Sequence, residues 1–167
     1  MKKEALPVKS AKLQQQIENE ILQSYQSLYR LAYSYVKNPD DAMDVVQESA
    51  YKAILHADEM HFRETVKGWL CRIVVNTALD LIRRRKRESL TEEIPETGRE
   101  DTYENIDVMR ALDTLDEREK TVVMLRFFQD MKLSEISSIT GESLSSVKSI
   151  LYRSLRKLKL KLTEGDT

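Results

Sequence analysis

Apolar residues recur at helical spacing along almost the whole chain, and the pattern fails in one place, between about Glu88 and Asn105. That gap holds Pro95 and Gly98 and reads as a flexible linker. Elsewhere turn-makers are scarce, with 4 Gly and 3 Pro in 167 residues, so the chain is expected to be all-α. Two small helical domains follow, over residues 13–88 and 106–163, joined by a linker at 89–105. Domains of about 50–90 residues bury modest cores, which excludes a large α/β enzyme. There is no internal repeat of solenoid period.

The totals of 27 Lys plus Arg against 28 Asp plus Glu, a net charge of −1, hide a strong segregation. Arg83, Arg84, Arg85, Lys86 and Arg87 give +5 in consecutive positions. From Glu88 to Asp107 eight carboxylates stand against Arg99 alone, which is −7 and makes the linker acidic. From Leu144 to Leu162, Lys148, Arg153, Arg156, Lys157, Lys159 and Lys161 give +6 with no acid among them. Two basic patches separated by an acidic tether suit a nucleic-acid partner better than the total implies.

The longest apolar run, Val122 to Leu125, is far short of the roughly 18–20 residues a membrane span needs. Lys2 and Lys3 are followed by Pro7-Val8-Lys9-Ser10 where a signal peptide would carry apolar residues, so a cytoplasmic protein is expected. Cys71, the one cysteine, allows neither an intrachain disulfide nor a cysteine zinc cluster and reads as a buried thiol.

The N-terminal domain reads as about four helices. The first runs from about Leu13 to Val36, with Ile17, Ile21, Tyr25, Leu28, Ala32 and Tyr35 as its stripe, and Asn38-Pro39 stops it. Pro39-Asp40-Asp41 opens a second, through about Ala57, that buries Ala42, Val45, Val46, Ala50 and Ile54. On its other side lie Asp44, Gln47 and Glu48, with the carboxylates four apart and adjacent. His56 sits a turn later and His61 in a loop, so no histidine or third ligand supports a catalytic pair or a metal site. A solvated face and an acidic docking surface both stay open.

A long helix from about Thr65 to Arg87 buries Val66, Leu70, Ile73, Thr77 and Leu81, with Trp69 beside them. Arg72, Asn76, Asp80, Arg83, Arg84 and Arg87 share its other face. One or two cations would satisfy the helix dipole; five, beside amide groups, suit phosphates and base edges.

After the linker, Ile106 to Leu115 is a short helix, and Asp116 with Glu119 starts another in the manner of a capping box, carrying Val122, Val123, Leu125, Arg126 and Phe127. Leu133 to Ile139 is a short amphipathic helix, Thr140-Gly141-Glu142 a tight turn, and Ser143 the cap of a helix reaching about Leu160. That is the helix-turn-helix pattern. In its second helix Leu144, Val147, Leu151, Leu155, Leu158 and Leu162 are expected to face inward. Lys148, Ser149, Tyr152 and Arg153 are the candidate base readers, and Ser145, Ser146 and Arg156 the candidate phosphate contacts.

Asp44-Val-Val-Gln-Glu48, Trp69-Leu-Cys-Arg-Ile-Val-Val-Asn76 and Asp80-Leu-Ile-Arg-Arg-Arg-Lys-Arg87 resemble the core-binding and minus-ten-reading segments of bacterial RNA polymerase sigma factors. Leu115-Asp-Glu-Arg-Glu, Leu125-Arg-Phe-Phe, and Glu135-Ile followed by Val147-Lys-Ser149 and Arg153 resemble their minus-thirty-five-reading domain. The ordered set covers roughly Ile17 to Leu160, and two domains without a middle one resemble the extracytoplasmic-function group of the sigma-70 family. The resemblance implies that Asp44, Gln47 and Glu48 dock on the polymerase largest subunit. It implies that Asn76, Asp80, Arg83, Arg84, Arg85 and Arg87 lie at the minus-ten element, beside a pocket loop at Met60 to Thr65. Serines at 137 and 138, where the family often has alanine, and Ser146, where threonine is common, are departures.

The resemblance thus implies an initiation factor with no catalysis of its own, no cofactor, no metal and no small-molecule substrate. It would bind core RNA polymerase, recognise promoter DNA and help melt the start site, with an anti-sigma partner able to bring it to the membrane. The alternative is a stand-alone helix-turn-helix regulator with a helical sensing or dimerising domain; a metal-dependent nuclease stands third.

Overall fold

The computed structural model describes residues 8–60, 65–89 and 103–165, and among them every regular element is helical. The chain divides into two compact units between Leu81 and Ile82, inside the third helix. Most of the expected linker, 90–102, lies outside the described residues, as does most of the expected pocket loop, at 61–64.

Before residue 90 three α-helices and a 3₁₀ turn stand where about four helices are expected, the third helix running from the N-terminal unit into the second. Helix α1 is Val8–Val36, α2 is Pro39–Leu55, the turn is Ala57–Glu59, and α3 is Val66–Ser89. Asn38 separates the first two. Its Oδ1 accepts from the backbone N–H of Asp40 at 2.9 Å and of Asp41 at 3.1 Å, and Pro39 occupies the first turn. Lys37 takes φ 56°, the left-handed conformation that ends α1 and lets α2 fold back on it. Ile17, Leu28, Leu31 and Ala32 of α1 meet a core shared with Ala42, Val45, Val46 and Ala53 of α2. Tyr25, Ile21, Ala50 and Ile54 sit nearer the surface than their stripes suggest.

Helix α3 corrects the expected stripe. Leu70 and Thr77 are buried, but Val66, Ile73 and Leu81 are only partly covered, while Trp69, Cys71, Val74, Val75 and Ala78 are inside. The buried side is offset from the expected stripe, with Trp69, Val74 and Val75 supplying most of its apolar area and Gly68, Cys71 and Ala78 lying between them.

The C-terminal unit holds α4, Tyr103–Asp113; α5, Glu117–Val123; α6, Leu133–Thr140; and α7, Leu144–Gly165. Helix α4 starts three residues before the expected position, and α7 ends five after it. Asp116 and Glu119 form the expected capping box: the Glu119 N–H donates to Asp116 Oδ1 at 2.8 Å, and the Asp116 N–H donates to Glu119 Oε1 at 3.0 Å. Beyond Val123 the backbone widens into a π-helical turn, Met124–Phe128, closed by the Gln129 N–H on Met124 O at 3.1 Å. Phe127 and Phe128, at the end of this turn, are exposed.

Helix α7 also departs from its stripe. Val147, Ile150, Leu151 and Ser154 are buried, whereas Leu144 and Leu155 are 43% and 37% exposed. Leu155 and Leu158 instead line an open apolar cavity of about 240 Å³ with Val108, Phe127 and Phe128. Leu162 is outside the described side chains.

Candidate nucleic-acid interface

The face of α2 away from the core carries the expected polar group: Asp44, Gln47 and Glu48 are all exposed. The same face also exposes Met43, Tyr51 at 67% and Leu55 at 58%. These apolar side chains escape a reading of charge pattern, but spacings of four from Met43 and Gln47 place them in one column with the expected residues. Glu48 pairs with Lys52 at 3.4 Å, and Lys52 Nζ donates to Thr77 Oγ1 of α3 at 3.2 Å. The result is an acidic and apolar surface on a fixed helix. Among the described residues no cluster of three or more metal-ligating side chains forms, and His56 is paired with Glu59 at 3.2 Å.

Along α3 Asn76, Asp80, Arg83, Arg84, Arg85 and Arg87 are exposed and Arg72 is half-buried. Asn76 to Arg87 spans twelve residues of one helix, about 16 Å at the α-helical rise. Amide, carboxylate and guanidinium groups of Asn76, Asp80, Arg83, Arg84 and Arg87 thus follow one another along one side of the helix, with Arg85 on the other. On the opposite side burial pushes the Cys71 thiol up to about 12, so this cysteine is a packing residue rather than a nucleophile.

In the α6–turn–α7 unit, Gly141 adopts φ 75° and its N–H donates to Ser137 O at 3.0 Å, ending α6 in a left-handed cap. Ser143 Oγ accepts the Ser146 N–H at 3.1 Å and caps α7. Lys148, Ser149, Tyr152, Arg153 and Arg156 are exposed along one side of α7, with Tyr152 68% open to solvent. Ser145 joins them but lies within 3.3 Å of the capping Ser143 hydroxyl. Ser146 is half-buried, and its hydroxyl donates to Glu142 Oε2 at 2.9 Å, which turns it toward the turn. Ser137 donates to Glu142 O at 2.5 Å, and Arg118 pairs with the Glu142 carboxylate. The Ser146 hydroxyl and Arg118 hold that carboxyl below its usual range. Two of the three serine departures therefore tie the turn together.

Charge pattern alone misses Glu119. Read locally it is a capping residue, yet its side chain is fully buried and binds two cations of α7: Arg153 Nε donates to Oε2 at 2.9 Å and Lys157 Nζ to Oε1 at 2.7 Å. Burial pushes the carboxyl up, but the hydrogen bonds from Lys157, the Asp116 N–H and Arg153 outweigh it and bring the pKa down to about 2. Partners 34 and 38 residues away leave no local mark in the sequence.

Two family profiles match this chain in order: Sigma-70 region 2 over residues 21–88 and Sigma-70 region 4 over residues 111–160. The chain is 46% identical over 145 residues to RNA polymerase sigma factor SigV of Bacillus subtilis, covering 84% of this chain and 87% of that protein. It is 30% identical to the RNA polymerase sigma-E factor of Streptomyces coelicolor, covering 84% and 82%. Two solved structures share the fold at 23% identity. One is the sigma factor RpoE in complex with the anti-sigma factor NepR from Bartonella quintana, at TM-score 0.74 over 89% of this chain and 97% of that one. The other is CnrH in complex with the cytosolic domain of CnrY, at TM-score 0.73 over 95% and 96%.

Proposed function

The chain belongs to the sigma-70 family of RNA polymerase sigma factors, in its extracytoplasmic-function group, and from that premise we propose how its surfaces share the work of initiation. It is an alternative sigma factor that directs RNA polymerase to promoters, with core polymerase and promoter DNA as partners. The observation that carries this reading is the pair of region 2 and region 4 matches, in order along the chain, over residues 21–88 and 111–160. A stand-alone regulator would have no use for the first.

The α2 face is the polymerase dock: Asp44, Gln47 and Glu48 supply charge and hydrogen bonds, and Met43, Tyr51 and Leu55 supply area to desolvate. The exposed side of α3 takes the minus-ten element. Arg83, Arg84, Arg85 and Arg87 hold backbone phosphates, while Asn76 and Asp80 offer hydrogen bonds to a base that has left the stack, so strand capture helps melt the start site. On α7, Lys148, Ser149, Tyr152 and Arg153 meet the minus-thirty-five element as duplex; Ser145 and Arg156 approach its phosphates, while Ser146, expected beside them, has its hydroxyl engaged by Glu142. The factor contributes recognition and no chemistry of its own. It works in the cytoplasm, where polymerase and chromosome are, and an anti-sigma partner would hold it inactive, at the membrane if that partner is anchored there. Among the described residues no helix is long and apolar enough to cross a membrane.

Run-off transcription with core polymerase on fragments of the source genome, with and without this protein, tests the reading. The expected result is start sites that depend on the protein. Their absence on every fragment would overturn it.

A further inference from the structure

The six cations of the C-terminal basic segment are not equivalent, because two share one buried acid. We propose that Glu119 is a positioning residue for promoter binding: its carboxylate anchors Arg153 through Nε, leaving the two terminal NH₂ groups aimed outward as a fork for a pair of acceptors on the promoter duplex. The proposal rests on the assignment of α7 to duplex DNA.

Three features of the geometry carry it. The carboxylate is fully buried while the Arg153 and Lys157 side chains are 50% and 44% exposed, so the acid lies beneath and the cations reach over it to the surface. The bond to Arg153 uses Nε and spends one of five guanidinium N–H groups, leaving the terminal ones that make two-point contact with a guanine edge or with two phosphate oxygens. Glu119 is itself fixed, since its Oε1 also accepts the Asp116 N–H that starts α5. An arginine held this way has lost its rotamer freedom on folding instead of on binding, so less entropy opposes the contact. Lys157, one turn along α7, keeps two of its three ammonium protons and one anchored direction.

The test uses holoenzyme assembled from core polymerase and the full chain, on a promoter found by run-off transcription, with the upstream element intact or scrambled, over a range of salt. If no promoter is found, the assignment of function fails before Glu119 is tested. With a promoter in hand, Glu119→Gln keeps shape and one acceptor but weakens the anchor. It is expected to lower affinity about tenfold, and in an Arg153→Ala background to have no further effect. A loss confined to the intact element identifies the acceptors as base atoms. An equal loss on both elements, with the salt slope reduced by about one, identifies them as phosphate oxygens. Either outcome supports positioning. Unchanged or increased affinity, or a loss undiminished in the Arg153→Ala background, overturns it in favour of charge neutralisation or general stability. If Glu119→Gln does not fold, Arg153→Lys carries the test, since it keeps the charge and removes the fork. The same loss is expected, and wild-type affinity overturns the proposal.

Discussion

The two basic surfaces of this molecule are built on opposite plans. On α3 the cations are neighbours in sequence, Arg83 to Arg87, exposed at the end of one helix. On α7 the cations are spread along the helix, and two of them, Arg153 and Lys157, close on Glu119 from another helix. A dense run offers charge in many arrangements, which suits a flexible single strand. An anchored pair offers few arrangements, which suits a duplex whose acceptors are fixed. The difference teaches that net charge by segment, nearly equal here at +5 and +6, says little about what a basic surface can discriminate.

If α2 and α3 work through exposed side chains, their function should be removable without touching the fold. Asp44→Arg with Glu48→Arg is expected to abolish co-elution with core polymerase, the largest effect predicted here, while stability changes by no more than about 0.5 kcal/mol. Retained co-elution would break the assignment of α2 as the dock. Next in size, Arg84→Gln, Arg85→Gln and Arg87→Gln together should weaken holoenzyme binding to a promoter on the order of a hundredfold and lower the salt slope by about two to three. A loss that does not vary with salt would mean that these arginines act by shape.

How far the surfaces could be read in advance follows from the same contrast. Features set by neighbours in the chain were legible: the Asn38-Pro39 helix start, the Asp116 and Glu119 box, the Gly141 turn, and the exposed polar column of α2. Features set by distant partners were not. Glu119 is paired with cations 34 and 38 residues away, and Leu155, expected inside, is left partly open where it lines a cavity with Phe127 and Phe128 from the distant π-turn. On α3 the buried side is offset from the expected stripe and includes Trp69, Cys71, Val74, Val75 and Ala78.

The anchored surface should betray itself in acid, where the open one need not. The Glu119 carboxyl lies at about 2 in the folded unit against an ordinary 4.5, so its stabilising contribution is complete above pH 4.5 and disappears as pH falls through 2. Trp69, the one tryptophan, reports on the N-terminal unit, and amide exchange in α7 reports on the other. Opening of α7 is expected to become easier between those pH values in the wild type, and less steeply so in Glu119→Gln. At neutral pH Glu119→Ala should destabilise the C-terminal unit by about 1–3 kcal/mol, through the lost cap and ion pairs. A parallel acid response in the wild type and Glu119→Gln would mean that the carboxylate does not hold the helix.

The smallest effects sharpen the comparison at the level of the backbone. Among the described residues each unit has one non-glycine residue in the left-handed region, Lys37 at φ 56° and Asp130 at φ 53°. The strain there is steric, a Cβ too near the following carbonyl, and costs roughly 1–2 kcal/mol for an ordinary side chain but less for aspartate, whose short polar group is better tolerated. Glycine removes the strain and returns some entropy to the unfolded chain, about 0.4–1 kcal/mol against folding. Lys37→Gly should therefore stabilise the N-terminal unit by about 0.5–1 kcal/mol, read as a shift in the Trp69 unfolding midpoint, whereas Asp130→Gly should leave the C-terminal unit within about 0.5 kcal/mol of the wild type. Asp130 lies between the π-turn and Met131, whose N–H donates to Leu125 O at 3.0 Å and whose carbonyl accepts from Arg126 Nη1 at 3.1 Å. Those two bonds after the bend, with the Gln129 N–H on Met124 O before it, fix the backbone on either side, so φ there is imposed by its surroundings. The two-residue link at Lys37 has the Asn38 cap on one side and the last turn of α1 on the other, closed by the Lys37 N–H on Tyr33 O at 2.9 Å. A larger gain at Asp130 than at Lys37 would reverse the order and show that the π-turn, rather than the α1–α2 bend, stores the greater strain.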